Sequence, residues 1–204
     1  MNQESDKAVA EEMVSYEQRA AQEHHHRGKS SESLLDKARI LNALGIRPGQ
    51  TVLDAGCGNG YMAKEFAARV GKEGKVFALD PDEMAIAALR EQTAGTNIVT
   101  LVGDITKTTA LQASTFDLIY LSTVVHGFSA EQVEGFRAEI QRLLAPGGKL
   151  AIVEIVKRDT PFGPPLPLRF SPAELQQALA LPVLTTVDVG EYFYLQIFAN
   201  RPSA

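Results

Sequence analysis

One cysteine, Cys57, stands in the 204 residues. A single thiol can form neither an internal disulfide nor a multi-thiolate metal site, so stability has to come from packing. No stretch approaches the roughly 18 apolar residues of a membrane span. The start, "MNQESDKAVAEEM", carries no apolar core of signal-peptide length. Basic runs are also missing: 20 Lys and Arg are scattered among 25 Asp and Glu, which argues against a nucleic-acid backbone as partner. No low-complexity tract interrupts the chain, and 45% of it is hydrophobic. These exclusions leave one globular domain with an N-terminal appendage, expected in the cytoplasm and off the membrane.

Apolar runs of strand length alternate with segments of helical period. The strand-like runs are Thr51 to Ala55, Lys75 to Asp80, Ile98 to Gly103, Phe116 to Ser122 and Lys149 to Val156. Residues 82–93 predict a helix with Met84 or Ala85, Ala88 and Leu89 on its sheet-facing stripe. Ser129 with Gln132 three residues on predicts a capped helix presenting Val133, Phe136, Ile140 and Leu143, stopped by "APGG". Strand, helix, strand repeated four times specifies a parallel sheet covered on both faces. After the Pro-rich "DTPFGPPLPLRF", Ser171, Pro172 and Glu174 begin a short helix, and two further strand-like runs meet around Gly190. The expected fold is therefore α/β and doubly wound, mostly parallel, with an antiparallel C-terminal hairpin strand.

In such a sheet the ligand sits beyond the carboxyl ends of the strands. The loop there after the first strand is "DAGCGNG", Asp54 to Gly60. Its glycines let a ligand lie against the main chain near a helix N-terminus. Asp80 ends the second strand about twenty residues beyond Gly60, the spacing at which a carboxylate accepts ribose hydroxyls. Together they indicate a nucleoside-containing cofactor. The dinucleotide fingerprint wants a glycine where Tyr61 stands, which disfavours a nicotinamide-dependent oxidoreductase.

The "DAGCGNG" spacing resembles motif I of the class I S-adenosylmethionine-dependent methyltransferases. The resemblance continues at Asp80 in "VFALDPDEM", Asp104 in "LVGDIT", "FDLIYLSTVVHGF" and "LLAPGGKLAIVE", in that family's order from Thr51 to Glu154, about half the chain. It implies a seven-stranded Rossmann-like sheet and S-adenosyl-L-methionine as cofactor. By the same resemblance Asp80 holds the ribose, Asp104 and the Ile105 amide meet the adenine, and Met84 and Leu121 edge the adenosine. Gly56 and Gly58 face the methionine end, with Asp54 supporting the turn and reaching the amino group through water. Asp54 and Asp104 are also ordinary capping residues, Met84 could be helix core and Cys57 a small packed residue.

The activity implied is methyl transfer to a small-molecule acceptor by in-line displacement. An S-adenosylmethionine-binding sensor or partner subunit is the alternative. The fourth strand ends in Leu121, Ser122 and Thr123, without the acid or amide followed by two prolines typical of nucleic-acid amino-methyltransferases. His126 follows that strand at the reacting edge and is the candidate catalytic base. Three adjacent histidines, His24, His25 and His26, diverge by about 100 degrees each on a helix and form no ready metal site. Residues 1–45 are read as a helical lid before the 46–204 domain, with Tyr16, His24, His25, His26 and Arg27 lining the acceptor pocket. No metal is expected, and a homodimer is left open.

Overall fold

The computed structural model describes residues 31–200. Seven strands form one sheet in the order β3-β2-β1-β4-β5-β7-β6. They are β1 (Thr51–Ala55), β2 (Lys75–Asp80), β3 (Ile98–Val102), β4 (Phe116–Ser122), β5 (Leu144–Ile155), β6 (Val183–Gly190) and β7 (Phe193–Ala199). Pairing is parallel from β3 across to β5, whereas β7 runs antiparallel to both β5 and β6. The hairpin expected at Gly190 therefore closes the sheet with one reversed strand.

Alternation along the central strands feeds two cores. On β4, Leu118 and Tyr120 face one core while Ile119 and Leu121 face the other, because successive side chains of a strand point to opposite faces; a register shift between Phe116 and Leu118 places Phe116 in the second core as well. The first core is covered by α1 (Lys37–Leu44), α2 (Tyr61–Val70) and α3 (Glu83–Gln92) through Ile40, Leu41, Phe66, Val70, Ile86 and Leu89. The second is covered by α4 (Ala130–Leu143) and α5 (Pro172–Leu179) through Phe136, Ile140, Leu143, Leu175 and Leu179. Both capping boxes form: Ser129 with Gln132 on α4 and Ser171 with Glu174 on α5, each satisfying orphan amides of the first turn.

The structure departs from the sequence reading in four places. Strand, helix, strand occurs three times among β1 to β5, since residues 103–115 connect β3 to β4 without a helix. That connection is fastened to α4 instead: Glu139 Oε1 accepts from the Thr109 amide and hydroxyl (2.9 and 2.7 Å), and Arg142 donates to the Leu111 and Thr109 carbonyls. "APGG" is a bulge inside β5, which already pairs at Leu144 with Phe116 before resuming at Lys149. On α3 the packed stripe is Ile86 and Leu89, whereas Met84 is 64% exposed. Finally, α1 contributes Ile40, Leu41 and Leu44 to the first core, so the expected boundary at residue 45 falls inside the packed fold. Residues 1–30, with Tyr16, His24, His25, His26 and Arg27, lie outside the described residues.

Candidate active site

The loops after β1, β2, β3 and β4 gather at one edge of the sheet. After β1 the chain doubles back beneath β2: the Gly56 and Cys57 amides both donate to the Leu79 carbonyl (2.7 and 3.1 Å), and the Gly60 amide donates to Cys57 (2.8 Å). Gly56 has φ +73°, and a Cβ there would meet Val124 Cγ2 at 2.7 Å. Gly60 starts α2 at φ +75°, where a Cβ would lie 2.4 Å from Leu89. Only glycine meets both the left-handed backbone and the close approach. The Gly58 amide donates to Asp80 Oδ2 (2.8 Å), whose other oxygen accepts from Asp82 (2.9 Å). Asp80 thus anchors the turn and, at half burial, retains further lone pairs.

Asp54 lies beneath this turn, 3% exposed, and its Oδ2 has no hydrogen-bond partner. Burial, reinforced by the nearby Asp80 charge and opposed by the Ala63 amide, pushes its carboxyl up to about 7. A carboxylate oxygen left unpaired at this depth suits a cationic group arriving from outside. Cys57 beside it is buried, and burial pushes its thiol up, so it packs as a small apolar group and does not serve as a nucleophile.

Asp104 is committed locally. Its Oδ1 accepts from the Thr106 amide and hydroxyl (2.9 and 2.7 Å), and Lys107 Nζ stands 3.3 Å from Oδ2. Against partial burial, these partners hold its carboxyl below the usual range. The turn-capping role of Asp104 is therefore present, and the same residue lines a recess of about 240 Å³ with Leu79, Leu101, Val102 and residues 107–111. The Gly103 amide bonds the Asp80 carbonyl (3.0 Å), which joins this recess to the glycine turn. The Ile105 side chain is buried, but its amide makes no hydrogen bond among the described residues. Met84 stands exposed at the start of α3. Leu121 is fully buried in the second core, because the strand's alternation sends its side chain inward.

Beyond β4, Thr123 takes φ +56°, a strained conformation for a β-branched residue. Its amide is held by the Val153 carbonyl (2.8 Å). The chain then forms a short 3-10 turn, Val125–Gly127, over the buried carboxylate of Glu154 on β5. Glu154 Oε1 accepts from the Val125 amide (2.8 Å) and the His126 amide (3.3 Å), and Oε2 lies 2.7 Å from His126 Nδ1. Burial opposes a charged imidazole, but the Glu154 charge and hydrogen bond outweigh it, and the His126 pKa is raised. The Pro-rich loop nearby is organised by buried Arg169, which donates to the carbonyls of Val156, Arg158, Phe162 and Pro164 and to the Thr160 hydroxyl. Glu154 and Arg169 were missed from sequence. Their signal was a charged residue inside an apolar run, "LAIVEIV" and "PLRF". A larger, open depression at the end of α5 lies away from all these groups.

Comparison with known proteins accords with this geometry. A family described as a methyltransferase domain matches residues 52–148. The ubiquinone/menaquinone biosynthesis C-methyltransferase UbiE of Hydrogenovibrio crunogenus is 35% identical over 129 residues, 62% of this chain and 50% of that one. Residues 52–148 carry a methyltransferase domain similar to those of the class I S-adenosylmethionine-dependent enzymes. The same C-methyltransferase from Cupriavidus taiwanensis is 35% identical over 116 residues, 55% of this chain and 46% of that one. The crystal structure of a SAM-dependent methyltransferase from Aquifex aeolicus superposes with a TM-score of 0.76 at 29% identity, covering 85% of this chain and 94% of that chain. The chain spans about half the length of the curated relatives it matches. Among the described residues no helix is long and apolar enough to cross a membrane, and no cluster of three His, Cys, Asp or Glu could hold a metal ion.

Proposed function

We propose that this chain transfers a methyl group from S-adenosyl-L-methionine to a small-molecule acceptor. The observation that carries this reading is the Gly56 to Gly60 turn, held on Asp80 by the Gly58 amide, above the buried carboxyl of Asp54, whose Oδ2 has no partner. A pocket built from backbone groups and acids fits a ligand that has a ribose and an ammonium but no phosphate. When bound, S-adenosylmethionine supplies a sulfonium methyl carbon open to in-line displacement. Asp80 takes the ribose hydroxyls, the recess at Asp104 with the free Ile105 amide takes the adenine, Met84 covers its exposed side, Gly56 and Gly58 leave room for the methionine end, and Asp54 meets its amino group.

His126 acts as the base for an acceptor that gives up a proton as it is methylated. The loop of residues 159–167, stiffened by its prolines and by Arg169, forms one wall of the acceptor space. The relatives' activity as C-methyltransferases of quinone biosynthesis makes hydroxylated rings the first acceptors to test. Incubation with S-adenosylmethionine and a panel of hydroxylated aromatic and aliphatic compounds, read by mass spectrometry, should yield a product heavier by one methylene. Tight cofactor binding with no product across the panel would favour the sensor function instead.

A further inference from the structure

We infer that Glu154 is a positioning residue that fixes the tautomer of His126. Its three hydrogen bonds all come from the turn that carries the histidine: the Val125 amide, the His126 amide and His126 Nδ1. A carboxylate only accepts, so Nδ1 must carry the proton. Nε2 is then the one ring atom with a free lone pair, and it makes no hydrogen bond among the described residues. The imidazole side chain is 16% exposed and the Glu154 side chain 1%, so water reaches the ring while the orienting contact stays dry.

The surroundings leave Glu154 alone in this role. Across the sheet Glu154 pairs in register with Tyr194 of β7, whose hydroxyl is committed to the Phe170 carbonyl (2.8 Å). Arg169, the cation whose field reaches His126, spends its donors on the Pro-rich loop and bonds neither residue. Arg169 therefore disfavours an imidazolium, and Glu154 is the single described acid set against it. The strained Thr123 supplies the geometry, since its left-handed backbone follows β4 immediately before the amides that meet Glu154. A carboxylate at this range raises the pKa of a neighbouring base. Buried in a strand, Glu154 also serves a second purpose, capping the turn's amides. That purely structural role needs an acceptor oxygen but no charge.

The substitution Glu154→Gln separates the two, because glutamine keeps the size and one acceptor oxygen while losing the charge. The catalytic consequence rests on the methyl-transfer reading; the tautomer does not. Long-range proton–nitrogen NMR of the imidazoles, with His126 assigned by its loss in His126→Asn, should show a protonated Nδ1 and a bare Nε2 in the neutral ring. The titration midpoint should lie above the ordinary histidine value, and in the glutamine variant it should fall by at least about one pH unit. An unchanged midpoint and tautomer in that variant would overturn the inference. If the variant does not fold, the natural protein decides: a proton on Nε2, or a midpoint at or below the ordinary value, overturns it equally. With an acceptor identified from the panel, Glu154→Gln should lower kcat by roughly tenfold or more and shift the acidic limb of the rate profile to lower pH. A panel without product, beside the expected spectrum, would count against the methyl-transfer reading and leave the assignment of Glu154 standing.

Discussion

Replacing Asp54 with asparagine should change how stability depends on pH. In the folded chain burial raises this carboxyl from 3.8 to about 7. In the unfolded chain it ionises at its ordinary value. The folded state therefore holds the proton more tightly, so its stabilising effect is complete below about pH 4 and is lost as pH rises through 7. Three units at about 1.4 kcal/mol each set a ceiling of roughly 4 kcal/mol. Relaxation and water penetration around a buried ionised carboxylate reduce this penalty, so about half of that ceiling is the expected share. Asparagine does not titrate, and other groups cancel in the comparison. Urea unfolding at pH 4.5 and pH 8 should find Asp54→Asn gaining at least about 2 kcal/mol on the natural chain between the two conditions. A difference that is the same at both values, within about 0.5 kcal/mol, would refute the claim that Asp54 is a buried acid with one unpaired oxygen. The same acid predicts proton release when S-adenosylhomocysteine binds below pH 7, visible as heats that depend on the buffer's ionisation enthalpy.

The remaining predictions concern the supports of the site. Gly60→Ala should cost about 3 kcal/mol, combining a left-handed backbone with a Cβ 2.4 Å from Leu89, whereas Gly45→Ala, at φ +60° with nothing within 4 Å, should cost about 1 kcal/mol in the same urea titrations. Arg142→Ala strands the carboxylate of Glu139 and frees residues 109–111; unfolding free energy should drop by about 3 kcal/mol and S-adenosylhomocysteine affinity should fall with it. Asp80→Ala removes the acceptor for the Gly58 and Asp82 amides, and the S-adenosylhomocysteine Kd should rise roughly 10- to 100-fold by calorimetry while circular dichroism stays native.

What could be read from the sequence was what is local. The strands show as short apolar runs, and both helix caps, Ser129 with Gln132 and Ser171 with Glu174, are patterns three residues long. The glycine turn was legible for the same reason: its φ angles and its spacing to Asp80 are consequences of neighbouring residues. Long-range arrangements were not. Glu154 meets His126 across 28 positions, and Arg169 gathers carbonyls up to 13 residues away. No periodicity announces such contacts. Leu121 stands near the end of β4, on the side of the ligand edge, yet the two-residue alternation of the strand turns its side chain into the core. Met84 shared a helical stripe with Leu89 on paper, but α3 packs through Ile86 and Leu89 and leaves Met84 outside. The "APGG" run has turn chemistry, yet β4 and β5 pair on both sides of it, so it becomes a bulge.

The central claim is that the turn from Gly56 to Gly60, with Asp54 and Asp80, holds S-adenosylmethionine. Isothermal titration calorimetry of residues 1–204 against S-adenosylhomocysteine and, separately, against NAD tests it most directly. The account predicts saturable one-site binding of S-adenosylhomocysteine, weakened in Asp80→Ala, and no heat with NAD. Tight binding of NAD with none of S-adenosylhomocysteine would contradict it.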